Sequence, residues 1–284
     1  MKLVYAIPCT PATGSNEAGL APGGQSPWGL SPIYGNIIIM KRFLFRTGNL
    51  ILAFSVWAFI AIDTLLVFIL IAFLRPFDWN QRISYRIANL WGISIIRINP
   101  LWDLKISGTH HIKDKTGYVL IANHASLADI ICLYCLGKNF KWLAKSSLFK
   151  IPFFGWTMSL LNYIPLKRGE HGSIRDSFQE AVRWLEKDIS VLIFPEGTRS
   201  RSGQLAGFKN GAFKLALLTK KPIVPIVIRG TGKTLSKGKA MMATTAKGAL
   251  HVLPEIDVAP YLPDRFEELK ADVWKVMNEE LVRD

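Results

Sequence analysis

Between Gly48 and Leu74 the chain carries a single charged residue, Asp63. As a helix rising ~1.5 Å per residue this stretch is ~40 Å long, longer than the ~30 Å hydrocarbon core of a bilayer. It therefore reads as a membrane-embedded helix, or as a helical hairpin that dips in and returns. Basic residues flank both ends, Lys41, Arg42 and Arg46 before it and Arg75, Arg82 and Arg86 after. That symmetry fits a dipping hairpin better than a span, whose flanks carry unequal charge. A carboxylate is costly in the apolar interior, so Asp63 is expected at the hairpin turn, near the surface.

The rest of the chain has another character. Residues 1–35 are rich in Gly, Pro, Ser and Ala without a periodic pattern, and Met40-Lys41-Arg42-Phe43 reads as a translation start. Residues 1–39 are thus expected to be a disordered leader or a mis-assigned start, 40–97 a membrane anchor with an amphipathic linker, and 98–284 a folded α/β domain. In that domain, short apolar runs of strand length (118–122, 190–194, 223–228) alternate with amphipathic helical patterns at 174–187 and 208–218. A last helix opens at Asp264, with Glu267 placed for a capping box. This alternation predicts a helix-flanked, largely parallel or mixed sheet, whose chemistry gathers in loops at the carboxyl ends of its strands.

The chain has 35 Lys+Arg against 21 Asp+Glu. The excess is local, with eleven basic residues and only Glu196 acidic between 190 and 250. Beside an apolar anchor, such a segment fits an anionic membrane surface. The other anionic partner, nucleic acid, is not expected, because no finger, RNP or basic-zipper pattern is present. Three cysteines, Cys9, Cys132 and Cys135, are too few for a disulfide scaffold. The histidines do not pair at metal-ligand spacing, and no metal is expected.

Four segments carry residues suited to chemistry. In Asn123-His124-Ala125-Ser126-Leu127-Ala128-Asp129, directly after a strand, Ser126 as N-cap would leave His124 in the turn and Asp129 in the first helical turn. Asp129 could then fold back onto one imidazole nitrogen, leaving the other to act as a general base. His171 and Asp176 have the same spacing but lie in a charged connection. The loop Phe194-Pro195-Glu196-Gly197-Thr198-Arg199-Ser200 combines a flexible backbone, a hydroxyl and a guanidinium fork for phosphate oxygens. Its Glu196 could receive substrate hydroxyls or hold Arg199. The third segment runs from Lys145 through Pro152-Phe153-Phe154-Gly155 to Arg168, pairing cations with aromatics that could hold a head group or form a buried cluster. In the fourth, Val224-Pro225-Ile226, a proline within a strand marks an edge or a bend. Gly230-Thr231-Gly232-Lys233-Thr234 looks like a phosphate loop but lacks its first glycine, Val227 standing there.

These four segments, in this order, resemble the conserved blocks of the glycerolipid acyltransferase superfamily, in particular the bacterial lysophosphatidic acid acyltransferases. The N-H-x-S-x-x-D block is matched by Asn123, His124, Ser126 and Asp129, and the F-P-E-G-T-R-S block at all seven positions from Phe194 to Ser200. Lys145, Leu148, Pro152, Gly155 and Arg168 match the third block, Val224 and Pro225 the fourth. The resemblance implies that His124 deprotonates the hydroxyl of a lysophospholipid while Asp129 orients it. The acceptor then attacks an acyl thioester, acyl-CoA or acyl-carrier protein, supplied as co-substrate with no further cofactor. It also implies that Glu196, Gly197, Thr198, Arg199, Lys145 and Arg168 bind the glycerol phosphate, with Asn123, Ser126 and Pro225 shaping the site. The expected setting is the cytoplasmic face of a bacterial inner membrane. Lyso-ornithine lipid or lysophosphatidylglycerol is the alternative acceptor, and a non-catalytic lipid binder the alternative of another class.

Overall fold

The computed structural model describes residues 32–99, 102–200, 202–233 and 246–283. The chain divides into two units, Met1–Leu50 and Ile51–Asp284. Residues 1–31, and with them most of the expected leader, lie outside the described residues, whereas 32–39 belong to a helix, α1 (Pro32–Leu74).

Within the second unit the Ile51–Leu74 part of α1 is followed by a turn and by α2 (Arg82–Ile98). Leu50–Leu74 is long and apolar enough to cross a membrane. Its outer face exposes Ile51, Phe54, Ile62, Leu66 and Phe73, while Val56 and Ile71 are buried. Asp63 is not at a turn, contrary to expectation. It sits mid-helix, where Ser94 of α2 donates to its carboxylate at 2.5 Å, one residue from a 3.0 Å bond between Trp91 and Thr64. The carboxylate is tolerated because α2 supplies polar partners between the two helices. The apolar stretch does not fold back on itself. The returning arm is α2.

The remaining elements are β1 (Trp102–Ser107), β2 (Val119–Ala122), α3 (Ala128–Tyr134), β3 (Phe140–Lys145), α4 (Phe154–Leu160), β4 (Ile164–Leu166), α5 (His171–Glu186), β5 (Ser190–Ile193), α6 (Gly211–Thr219), β6 (Ile223–Arg229), β7 (Ala246–Val252) and α7 (Phe266–Val282). They build one mixed sheet of order β1-β7-β6-β2-β5-β3-β4, parallel throughout except for the antiparallel β6–β7 pair. Helices cover both faces, so β2, β5 and β6 are continuous apolar runs instead of alternating ones. On one face Leu120, Trp142 and Ile226 pack with Ile71, Trp91, Ile95 and Leu133. On the other Ile121, Val191 and Val227 meet Leu185, Phe213, Leu269 and Met277 of α5, α6 and α7.

Two local expectations meet different outcomes. Of the edge or bend expected at Pro225, the edge is excluded because β6 is an interior strand, and the irregularity is present. Pairing slips by one residue between Ile223↔Ile256 and Ile226↔Val252, three steps on β6 against four on its partner. The proline, which has no N–H, stands in that bulge while its carbonyl accepts from Leu253 N at 2.9 Å. Asp264 does not cap α7 through its side chain, because its backbone carbonyl takes the Phe266 amide at 2.7 Å.

Candidate active site

Strand β2 ends at Ala122, and the next residue ties the chain to its neighbour. Asn123 Nδ2 donates to Ile228 O at 2.9 Å, and Ile228 N donates to Asn123 Oδ1 at 2.7 Å. The backbone then turns and places the largely buried His124 side chain at the strand's carboxyl end. Ser126 caps the turn, its Oγ accepting from Ala128 N at 3.2 Å, so that α3 begins at Ala128. Asp129 lies in the first turn of α3 and is fully buried. Its Oδ2 is 2.9 Å from His124 Nδ1 and accepts Ala125 N at 2.7 Å and Ser126 N at 2.8 Å. With the proton on Nδ1, Nε2 is left as the basic nitrogen of an oriented imidazole. The ring stacks on Phe194 at 4.1 Å between centroids and 19° between planes, which fixes its remaining rotation.

Strand β5, beside β2, delivers the second loop. Gly197 adopts φ +71°, a left-handed conformation, and a Cβ there would come within 2.8 Å of Lys209 Cε. The turn it permits sends Thr198 and Arg199 outward. They line a cavity of about 280 Å³ together with His124, Lys145 at the end of β3 and Arg168 just after β4. An oriented imidazole and three cations therefore face one space. Apolar cavities adjoin it on both sides. One of about 390 Å³ shares Leu127, Ile130 and Leu148 with it and is walled by Trp57, Trp91 and Phe153, on the α1–α2 side. Another of about 280 Å³, between α5 and α6, shares Leu143, Arg168 and Phe194.

Glu196 is placed differently from its neighbours in the loop. Its carboxylate is buried, with Oε1 accepting His124 N at 2.8 Å and Oε2 accepting Ala206 N at 3.1 Å. Burial pushes its pKa above the usual glutamate value, the two backbone amides opposing that shift. It holds the backbone of His124, and Arg199 stands in the cavity without it. Pro225 pairs with Ile121 one residue before the end of β2 and so sets the level at which the His124 turn begins. His171 opens α5 on the exposed surface, and its spaced partner Asp176 is paired with Arg175 at 3.8 Å. The aromatic segment goes to the helical layer, Phe153 against Phe68 and Trp156, Phe154 against Trp91. Cys132 on α3 and Cys135 just after it are free thiols, with Cys132 buried. Among the described residues no group of three or more His, Cys, Asp or Glu could hold a metal ion. Sequence reasoning missed Thr231, whose hydroxyl donates to Asp129 Oδ1, having weighed its glycine-flanked segment only as a nucleotide loop.

A family model described as Acyltransferase matches residues 103–229, from β1 to the end of β6. The chain is 39% identical to a chloroplast 1-acyl-sn-glycerol-3-phosphate acyltransferase of Arabidopsis thaliana over 189 residues, covering 65% of this chain and 52% of that protein. It spans about half the length of the two chloroplast relatives it matches. Its fold is similar to the crystal structure of the 1-acyl-sn-glycerophosphate acyltransferase PlsC from Thermotoga maritima, with a TM-score of 0.74 at 23% identity, over 83% of this chain and 95% of that one. A 1-acyl-sn-glycerol-3-phosphate acyltransferase of Limnanthes douglasii is 33% identical over 204 residues, 70% of either chain. With that coverage, and with the family model running from the first strand to the end of β6, the chain belongs to the acyltransferase family.

Proposed function

We propose that the protein transfers a fatty acyl chain from a thioester, acyl-CoA or acyl-carrier protein, to the sn-2 hydroxyl of 1-acyl-glycerol-3-phosphate, giving phosphatidic acid. The observation that carries this reading is the shared cavity: the His124–Asp129 pair opens onto the same space as Lys145, Arg168 and Arg199. The cations neutralise a phosphate monoester and position the acceptor, Arg199 through its planar fork. Nε2 of His124 takes the hydroxyl proton as the oxygen attacks the thioester carbonyl, and Asp129 stabilises the imidazolium that forms. Collapse of the tetrahedral intermediate breaks the C–S bond, and the departing thiolate receives the proton back from His124.

The apolar cavities on either side suit amphiphilic substrates, whose chains need water-free space beside a polar reaction centre. The exposed apolar face of α1 and the basic 190–250 segment support attachment to an anionic membrane, with the catalytic domain on the cytoplasmic face where acyl thioesters are made. The bacterial inner membrane is one setting of this kind, and the chloroplast names of two relatives point to a related one.

The test is a lysolipid panel with purified membranes. His124→Ala is expected to lower transfer by about 10²–10⁴-fold, the usual contribution of a general base, while His171→Ala stays near wild type. Equal losses in the two variants, or fastest turnover on a phosphate-free acceptor such as lyso-ornithine lipid, would overturn the reading.

A further inference from the structure

We propose that Thr231 is a positioning residue for this reaction, holding the Asp129 carboxylate in the one orientation that presents Oδ2 to His124. The inference rests on the general-base reading of His124 given above. Asp129 is fully buried, and its two oxygens are served from different sources. Oδ2 is surrounded by its own turn, with Ala125 N, Ser126 N and His124 Nδ1 all within 2.9 Å. Oδ1 is served by Thr231 Oγ1, which arrives from the far side of the β2–β6 pair, 102 residues along the chain. Thr231 is itself buried. Replacing that hydroxyl by a methyl removes a hydrogen bond to a buried carboxylate oxygen and sets an apolar group against it, which is costly. The relief open to the side chain is rotation about its Cβ–Cγ bond, which takes Oδ2 off the imidazole.

The surroundings make Thr231 a fixed reference point. Strand β6 is tied to the His124 turn by the paired bonds between Asn123 and Ile228. Arg229, next along, is anchored by Glu280 at 3.0 Å and by the carbonyl of Arg283. The chain then leaves the strand at Gly230 with φ +80°, so close to β7 that a Cβ would lie 2.0 Å from Lys247 O. Only glycine permits that approach, and the sharp exit sets the next side chain over Asp129. The Gly-Thr-Gly segment that fails as a phosphate loop thus has a different employment, as the outer partner of an imidazole–carboxylate unit.

The experiment compares Thr231→Val, which keeps shape and removes the donor, with Thr231→Ser, which keeps the donor, in the full-length protein. Loss of the hydrogen-bonding partner behind a metal-bound histidine costs roughly 10–100-fold, and a loss on that scale is expected here. The valine variant is expected to lose kcat on that scale with KM for both substrates within about twofold, as for an interaction expressed in the transition state. The serine variant is expected to recover most of the rate. A valine variant with wild-type kcat overturns the proposal, as does a loss carried by KM, or a folded serine variant as slow as valine. Should the valine variant fail to fold, Thr231→Cys against Thr231→Ser gives the same comparison, because the thiol is a weak donor. Equal kcat for those two overturns the proposal, and a drop confined to cysteine supports it. His124→Ala, run in parallel, separates two failures. Activity surviving there brings down the general-base reading, whereas activity lost there alone brings down only the part given to Thr231.

Discussion

Replacing Glu196 by glutamine keeps the side chain's volume and removes its charge. In the structure the two carboxylate oxygens accept one backbone amide each, from His124 at 2.8 Å and Ala206 at 3.1 Å. The amide side chain retains one acceptor and turns an NH₂ group towards the other N–H. One charge-assisted hydrogen bond is lost, worth about 1.5–3 kcal/mol. Against this, burial already disfavours the ionised carboxylate, and the neutral side chain is spared that penalty. The net loss is about 1–2 kcal/mol, or roughly 2–8 °C in the unfolding midpoint of a chain this size. The sign of the pH dependence follows from the raised pKa. The native state keeps the Glu196 proton to higher pH than the unfolded chain does, so this group's contribution to stability falls as pH rises from 4.5 through the native value. In Glu196→Gln that slope disappears. Thermal unfolding of the detergent-solubilised protein between about pH 4 and 8 reads both effects. Because the residue grips the His124 backbone, kcat is expected to fall while KM for lysophosphatidic acid holds. A raised KM at unchanged kcat and unchanged midpoint would refute the argument, since it would put Glu196 on the substrate.

Two further outcomes follow from features remote from the cavity. Lys141 is fully buried on β3, donating to Gln81 and to Leu161 O at 2.7 Å under the face of Trp184, and burial pulls its pKa down to about 7. The unfolded chain then binds more protons than the native one above that pH, so stability should rise by roughly 2–3 kcal/mol between about pH 7 and 9. Denaturant midpoints at the two pH values check this, and a slope that survives in Lys141→Met refutes it. At the α1–α2 turn Phe77 and Trp79 are 74% and 84% exposed. In vesicles, the fluorescence difference between wild type and Trp79→Phe is expected to be quenched by brominated acyl chains, and an unquenched difference would place the turn in water.

The parts of the architecture legible in the sequence are those in which local pattern and tertiary environment agree. β2, β5 and β6 are buried on both faces and read as apolar runs. β3 was harder to see because a lysine occupies one of its fully buried positions, and β1 because its alternate residues are exposed at the sheet edge. In the site, a strand, a cap and a five-residue spacing were enough to bring Asp129 onto His124, since all the geometry is local. Glu196 and Thr231 were opaque for the opposite reason. The site groups they hold, the His124 amide and the Asp129 carboxylate, are 72 and 102 residues away, and only the order of strands in the sheet says which backbone or carboxylate each will meet. Asp63 misled because a lone charge in an apolar run was read without the second helix that receives it.

That strand order has a consequence for how such proteins diversify. On the proposed mechanism, the groups that move the proton belong to β2 and to the strands on either side of it, β5 and β6, whose ends interlock through Asn123, Glu196 and Thr231. Lys145 and Arg168 hang instead from β3 and β4, the last two strands of the sheet. Insertions and substitutions at that rim can alter two of the three cations that face the cavity without disturbing the interlocked middle, which keeps Arg199. A lineage acquiring a new acceptor lipid would therefore be expected to bear its changes at the periphery, with the centre inherited unchanged.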